Sequence, residues 1–287
     1  MNTPNTQTIL VGVDGSRNSI GALAWAEAIG TRLLFGVTAA MAWEYPALSA
    51  VPDGGKPDSS ADEMDEQVVQ HLASIVAKAG LGKVSCRALR GPAHDALQRA
   101  STRPEVEMLV VGTRGLGPIT GLMLGSVSRK LLFGGTQPLV LVPQNGPHVP
   151  LDRVLVGLDG SPISESVAAW SARLCSDLGV SATILRCMDP GAEHSSDRYD
   201  EIMTRSRLEL DLEWCDAFRG LNVDHRSIVE NGDPRRCLIE TARLEEAGLI
   251  VIGLRGSGQF AGLGGTASYL VRHSPLPMAV IPPLPDQ

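Results

Sequence analysis

The chain is written twice. Residues 9–16 read ILVGVDGS and residues 154–161 read VLVGLDGS; VVGTRG at 110–115 is answered by VIGLRG at 251–256, and PLVLVP at 138–143 by PLPMAVIP at 275–282. The offset between matching residues is 145 at Asp14 and Asp159, 141 at Gly112 and Gly253, and 140 at Ser126 and Thr266. An unchanged order with a slowly shrinking offset describes one domain duplicated, the second copy having lost short loop segments. The 287 residues thus divide into a first domain over 1–143, a linker over 144–150 carrying Gly146, Pro147 and Pro150, and a second domain over 151–287. Each is of roughly the commonest domain size.

Within each copy, short aliphatic runs alternate with helical patterns. Ile9–Val13 is β-branched and ends in Asp-Gly-Ser, a buried strand followed by a helix start. The spacing then predicts a helix over Ile20–Ile29 stopped near Gly30, a strand around Leu33–Ala42, an exposed loop over Tyr45–Ala61 and an amphipathic helix over Asp62–Ala79. Strand three is placed at Val84–Leu89, helix three opens at Gly91-Pro92, and strands four and five are Met108–Val111 and Leu139–Val142. The second copy repeats the pattern with strands near 153–158, 181–187, 223–229, 249–252 and 278–281. The alternation specifies an α/β fold: two tandem copies of an open five-stranded parallel sheet with helices on both faces, Rossmann-like and related by a pseudo-twofold axis. Ligands of such sheets bind beyond the carboxyl ends of the strands, where the strand order reverses. That points to the turns after strands one and four.

Composition narrows the function. Hydrophobic residues make up 43% and aromatics only 4%, so the cores are aliphatic. The formal charge is −7 and the pI about 5.4, against the phosphate neutralisation that nucleic-acid binding needs. No run of four Lys or Arg offers a polybasic membrane patch. The five Cys are odd in number and form no CxxC, which reads as reduced thiols in a cytoplasm. MNTPNTQT has neither a basic region nor an apolar run, so no signal peptide is expected. The longest uncharged stretch, Leu131–Leu151, is broken by Gly134, Gly135 and its prolines, and cannot span a membrane.

The chemistry-bearing segment is Gly112-Thr-Arg-Gly115-Leu-Gly-Pro-Ile-Thr-Gly-Leu-Met-Leu-Gly125-Ser126-Val127-Ser128. Gly112 ends a strand and Gly125-Ser126 precedes a helical pattern. Glycines let main-chain N–H groups approach an anion, and a helix N-terminus adds unpaired N–H groups and a favourable dipole. Ser126 and Ser128 add hydroxyl donors. The plainer reading is a strand-to-helix turn with Ser126 as cap. There is no GK[ST], no GxGxxG, no G-x-S-x-G and no HExxH in the chain.

The spacing G-x2-G-x9-G-S after a fourth strand resembles the ATP-binding branch of the universal stress protein family. So do VGVDGS with Trp25 in the next helix, a strand ending Ala42-Trp43, RGPAHDAL and PLVLVP. The resemblance covers nearly all of both copies. It implies a cytoplasmic stress-response or signalling protein that binds ATP with Mg²⁺, with AMP and cyclic AMP left open. It places Gly12 and Asp14 at the first turn and the backbone of Ala42 against adenine. Gly112, Arg114, Gly115, Gly125, Ser126, Val127 and Ser128 would surround ribose and phosphates. In the second copy Asp159, Gly253, Gly256, Gly265 and Thr266 hold the matching places. There the loop is one residue shorter, and Cys187 replaces Ala42. A slow ATPase or nucleotidyl-transfer enzyme and an interaction module with vestigial sites are the two rivals. The apolar last strands, Leu139–Val142 and Met278–Ile281, are expected at sheet edges, pairing the two domains with one another or building a homodimer.

Overall fold

The aliphatic runs become strands buried on both sides. The computed structural model describes residues 7–44, 57–115, 124–144, 150–188, 196–254 and 264–283. In β1 (Thr8–Gly12), Ile9, Leu10 and Val11 are all buried. Successive strand residues face opposite sides of a sheet, so layers must cover both.

The chain divides into two compact units, Met1–Gln144 and Asn145–Gln287. In the first, β1 is followed by α1 (Arg17–Leu33), β2 (Gly36–Trp43), α2 (Pro57–Lys78), β3 (Val84–Arg90), α3 (Ala93–Ser101), β4 (Val106–Gly112), α4 (Ser126–Gly134) and β5 (Leu139–Val142). Its strands run in the order β3-β2-β1-β4-β5, every neighbouring pair parallel. The chain builds outward from β1 to β3 and then returns to β4, so the order reverses between β1 and β4. The second unit holds β6 (Arg153–Gly157), α5 (Ile163–Leu178), β7 (Ser181–Met188), α6 (Ser196–Glu209), α7 (Asp216–Gly220), β8 (His225–Asn231), α8 (Pro234–Leu244), β9 (Leu249–Gly253), α9 (Gly265–His273) and β10 (Met278–Ile281). Its order, β8-β7-β6-β9-β10, is the same and also parallel.

Three boundaries differ from the sequence expectation. Gly30 does not stop α1, which runs to Leu33 and ends on Leu34 in a left-handed conformation (φ 59°). Gly30 is buried, and a Cβ there would come within 2.7 Å of Val37 Cγ2. The glycine answers to close packing of helix on strand, not to termination, and β2 accordingly begins later, at Gly36. The second helix starts at Pro57 rather than Asp62; residues 45–56 of the expected loop lie outside the described residues. In the second unit a π turn at Leu210–Trp214 separates α6 from α7. Arg219 donates to the carbonyls of Asp211 (2.6 Å) and Leu212 (3.3 Å) there, satisfying groups that the widened turn frees. Leu210, Cys215 and Phe218 of that segment are core residues.

Candidate functional site

The β1–α1 turn is set by short polar side chains. Ser16 caps α1, its hydroxyl accepting from the Ser19 N–H at 3.2 Å. Asp14 stands one step earlier: its Oδ1 accepts from the Ser16 N–H at 3.0 Å, and its own N–H donates to Ser19 Oγ at 3.3 Å. Asp14 is therefore not the cap. Its carboxylate instead meets the loop leaving β4, where a Cβ on Gly115 would run into Oδ2.

That loop closes on itself before α4. The Thr113 N–H donates to Val142 O at 3.0 Å, the Gly125 N–H to Thr113 O at 2.8 Å, and the Arg129 N–H to Gly125 O at 2.9 Å. Gly125 is thus the N-cap, extended (φ −60°, ψ 153°) and with no side chain to cap the helix. Among the described residues the N–H groups of Ser126, Val127 and Ser128 are left for something outside the helix, at the positive end of its dipole. Two sequence expectations change here. The Gly125 N–H is spent within the loop, and the Ser128 hydroxyl is buried, donating to Gly112 O at 2.8 Å. It ties α4 to the end of β4 and is not free for a ligand. Ser126 is exposed with its hydroxyl unbonded among the described residues, and the half-buried Arg114 guanidinium likewise has no partner among them.

These groups surround a cleft of about 660 Å³ at the carboxyl ends of β1, β2 and β4. Gly12, Asp14, Ala42, Gly112, Arg114, Gly115, Gly125, Ser126, Val127 and Ser128 all line it. So do residues that the sequence did not single out: Val13, Ser19, Ala40, Met41, Ala93, Leu97, Val111 and Gln144. Position two before Ala42 on a strand, and the start of helix three, were the available signals for Ala40 and Ala93. The cleft is graded. Val13, Ala40, Ala42 and Leu97 make an apolar end against β2, and the α4 N-terminus with Arg114 makes an anion-seeking end. Two of the glycines are required by packing beneath the cleft: a Cβ on Gly12 would come within 2.9 Å of Leu97, and one on Gly112 within 2.8 Å of Asn18.

The second unit departs from the first at the same place. Asp159 accepts from the Ser161 N–H at 3.0 Å and from the hydroxyls of Ser161 (2.5 Å) and Ser164 (3.2 Å). Arg186, paired with Glu209 at 2.9 Å, packs against the Gly160 turn. Burial pushes the Cys187 thiol well above the ordinary range, and the neighbouring Cys237 thiol adds to it. Gly253 ends β9, and Gly256 lies outside the described residues. The helix register differs from the sequence alignment. The residue that caps α9, with φ −56° and ψ 151°, is Gly264, whose N–H reaches Leu254 O and whose carbonyl accepts from Ser268. These are the bonds that Gly125 makes with Thr113 and Arg129. Gly264 thus takes the place of Gly125, Gly265 that of Ser126, Thr266 that of Val127 and Ala267 that of Ser128. The second loop is two residues shorter than the first, not one. It also lacks both serine hydroxyls.

The universal stress protein family model matches residues 5–143 and again residues 150–282. A universal stress protein of Mycolicibacterium smegmatis is 28% identical, over 96% of this chain and 97% of its own. One of Mycobacterium tuberculosis is 27% identical, over 95% and 94%. Among solved structures, a universal stress protein from Archaeoglobus fulgidus is similar in fold, with a TM-score of 0.65 at 20% identity over 97% of both chains.

Proposed function

The chain belongs to the universal stress protein family, carrying two of its domains in tandem, and we propose that the first unit binds an adenine nucleotide, ATP with Mg²⁺, as a cytoplasmic stress or signalling regulator. The observation that carries this reading is the uncapped N-terminus of α4, which opens with Arg114 onto a cleft of about 660 Å³. That volume is within the usual range for small-molecule sites, roughly 300–1,000 Å³. The N–H groups of Ser126, Val127 and Ser128 would take phosphate oxygens, with the Ser126 hydroxyl and Arg114 beside them. The apolar end formed by Val13, Ala40, Ala42 and Leu97 would take the base, and Asp14 stands between the two for ribose or metal. Mg²⁺ is characteristically held by one or two carboxylates together with substrate phosphates; here Asp14 is the carboxylate lining the cleft among the described residues, so the ion would arrive with the nucleotide.

Efficient phosphoryl transfer requires several positioned charges around the reacting phosphate. Among the described residues the lining offers one carboxylate and one guanidinium, which favours holding a nucleotide over turning it over. Mass spectrometry of the small molecules released when freshly purified protein is heat-denatured tests the reading. An adenine nucleotide in near-stoichiometric amount is the expected result. Protein that releases none and does not take up added Mg-ATP would overturn it.

A further inference from the structure

Asn18 lies in the first turn of α1, below the cleft and not in its wall. It is 2% exposed, in the interior where an amide is a costly choice. Its Nδ2 donates to Thr113 Oγ1 at 3.3 Å and to Arg114 O at 3.2 Å. The Arg114 carbonyl needs a donor, so the amide orientation is fixed. The side chain also lies flat under Gly112, where any Cβ would come within 2.8 Å of it. Asn18 therefore touches the three successive residues Gly112, Thr113 and Arg114 as the chain leaves β4. Two of the three receive the returning loop: Thr113 O accepts from the Gly125 N–H, and Gly112 O from the Ser128 hydroxyl.

The duplication supplies a natural comparison. The residue equivalent to Asn18 is Ile163, buried in the first turn of α5, and the residue equivalent to Thr113 is Leu254. An aliphatic residue thus stands buried at the equivalent position while the strand order is kept. In the first unit the amide leaves its own Oδ1 buried and without a partner among the described residues, a cost that an aliphatic residue would avoid. Packing alone does not account for asparagine here.

We infer that Asn18 is the positioning residue of the anion cradle: it pins the exit of β4 so that Arg114 and the α4 N-terminus face one point in the cleft. The inference rests on the proposed nucleotide site for its purpose, but the pinning itself is independent of any ligand. The second unit, with Ile163 and Leu254 at these places, has no such pin among its described residues.

The test uses the full chain with Asn18→Ile, the residue nature places in the second unit, and Asn18→Leu, close in shape, as a second variant should the first fail to fold. Amide hydrogen exchange is measured on nucleotide-free protein, and Mg-ATP affinity by titration calorimetry. The expected result is faster exchange confined to Thr113–Gly115 and Gly125, with α1 and β1 unchanged, and affinity weaker by at least about tenfold, as misplacement of a binding group by a fraction of an ångström entails. Unchanged exchange in the loop would overturn the inference. So would faster exchange spread over the whole first unit, which marks a residue that merely stabilises the fold. Local loosening with affinity held within about twofold would overturn it too. If wild type fails to bind Mg-ATP, the function proposed above falls, and the exchange comparison still decides whether Asn18 holds the loop.

Discussion

A methyl group on Gly125 would meet Thr113 O at 3.5 Å, Arg114 Cα at 3.6 Å and Gly115 N at 3.7 Å. These are ordinary contacts, and the backbone there is extended and open to any residue. Gly125→Ala should therefore fold like wild type while placing its Cβ beside the N–H groups proposed for phosphate. Melting temperature within about 2 °C of wild type and nucleotide affinity at least about tenfold weaker are expected, measured by calorimetry. Equal affinities would show that the cradle is not used. The glycines of the motif are thus not equivalent. Gly12 and Gly112 answer to Leu97 and Asn18, Gly115 to Asp14, and only at Gly125 would an added Cβ make nothing closer than ordinary contacts. Glycine spacing was legible in the sequence; the separate reason for each glycine was not, because the neighbours come from elements far away in the chain. Asn18 was hidden for the same cause. A polar residue in a first helical turn reads as solvated until the β4 exit is laid over it.

At the scale of elements, the order of strands and helices followed directly from alternation, while boundaries failed where tertiary contact overrode local signals. Gly30 looks like a stop and is a point of contact. Gly30→Ala improves helix propensity yet drives a Cβ into Val37, so a net loss of about 1–3 kcal/mol is expected by chemical denaturation; a gain would contradict the close-packing explanation. The seam that holds α2 on β2 and β3 was equally invisible in sequence. Asp65 accepts from Trp43 Nε1 at 2.7 Å and from Arg90 Nε at 2.8 Å. Burial works against its charge, but the hydrogen bonds from Arg90 and Trp43 prevail and hold the carboxyl below the usual range. A carboxyl depressed on folding stabilises above its unfolded pKa of about 3.9 and loses that contribution as pH falls through the folded value. Asp65→Asn should then lower the melting temperature near pH 7 by about 2–4 °C, for a loss of no more than about 1 kcal/mol at this partly exposed site. The gap from wild type should close as pH falls below about 4. A gap that persists unchanged into acid would mean that packing, not charge, is what the substitution removes.

Across the whole molecule, the duplication makes each unit a control for the other. The fold is repeated strand for strand, so differences at the strand ends are not differences of architecture. The second unit keeps an uncapped helix at α9 but has a loop two residues shorter, Gly265 and Ala267 where the first has Ser126 and Ser128, and Ile163 where the first has Asn18. Asp159 there is engaged by two serines of its own turn. The sequence disclosed that the second loop was short. It misplaced the register by one residue because Gly264 and Gly265 are adjacent and only the capping bonds distinguish them. Titration of Mg-ATP into the intact chain by calorimetry, alongside Gly125→Asp, tests the proposed site most directly. One nucleotide per chain, with binding abolished by the added carboxylate beside the phosphates, is the predicted result. Two equivalent sites, or affinity unchanged in Gly125→Asp, would contradict it.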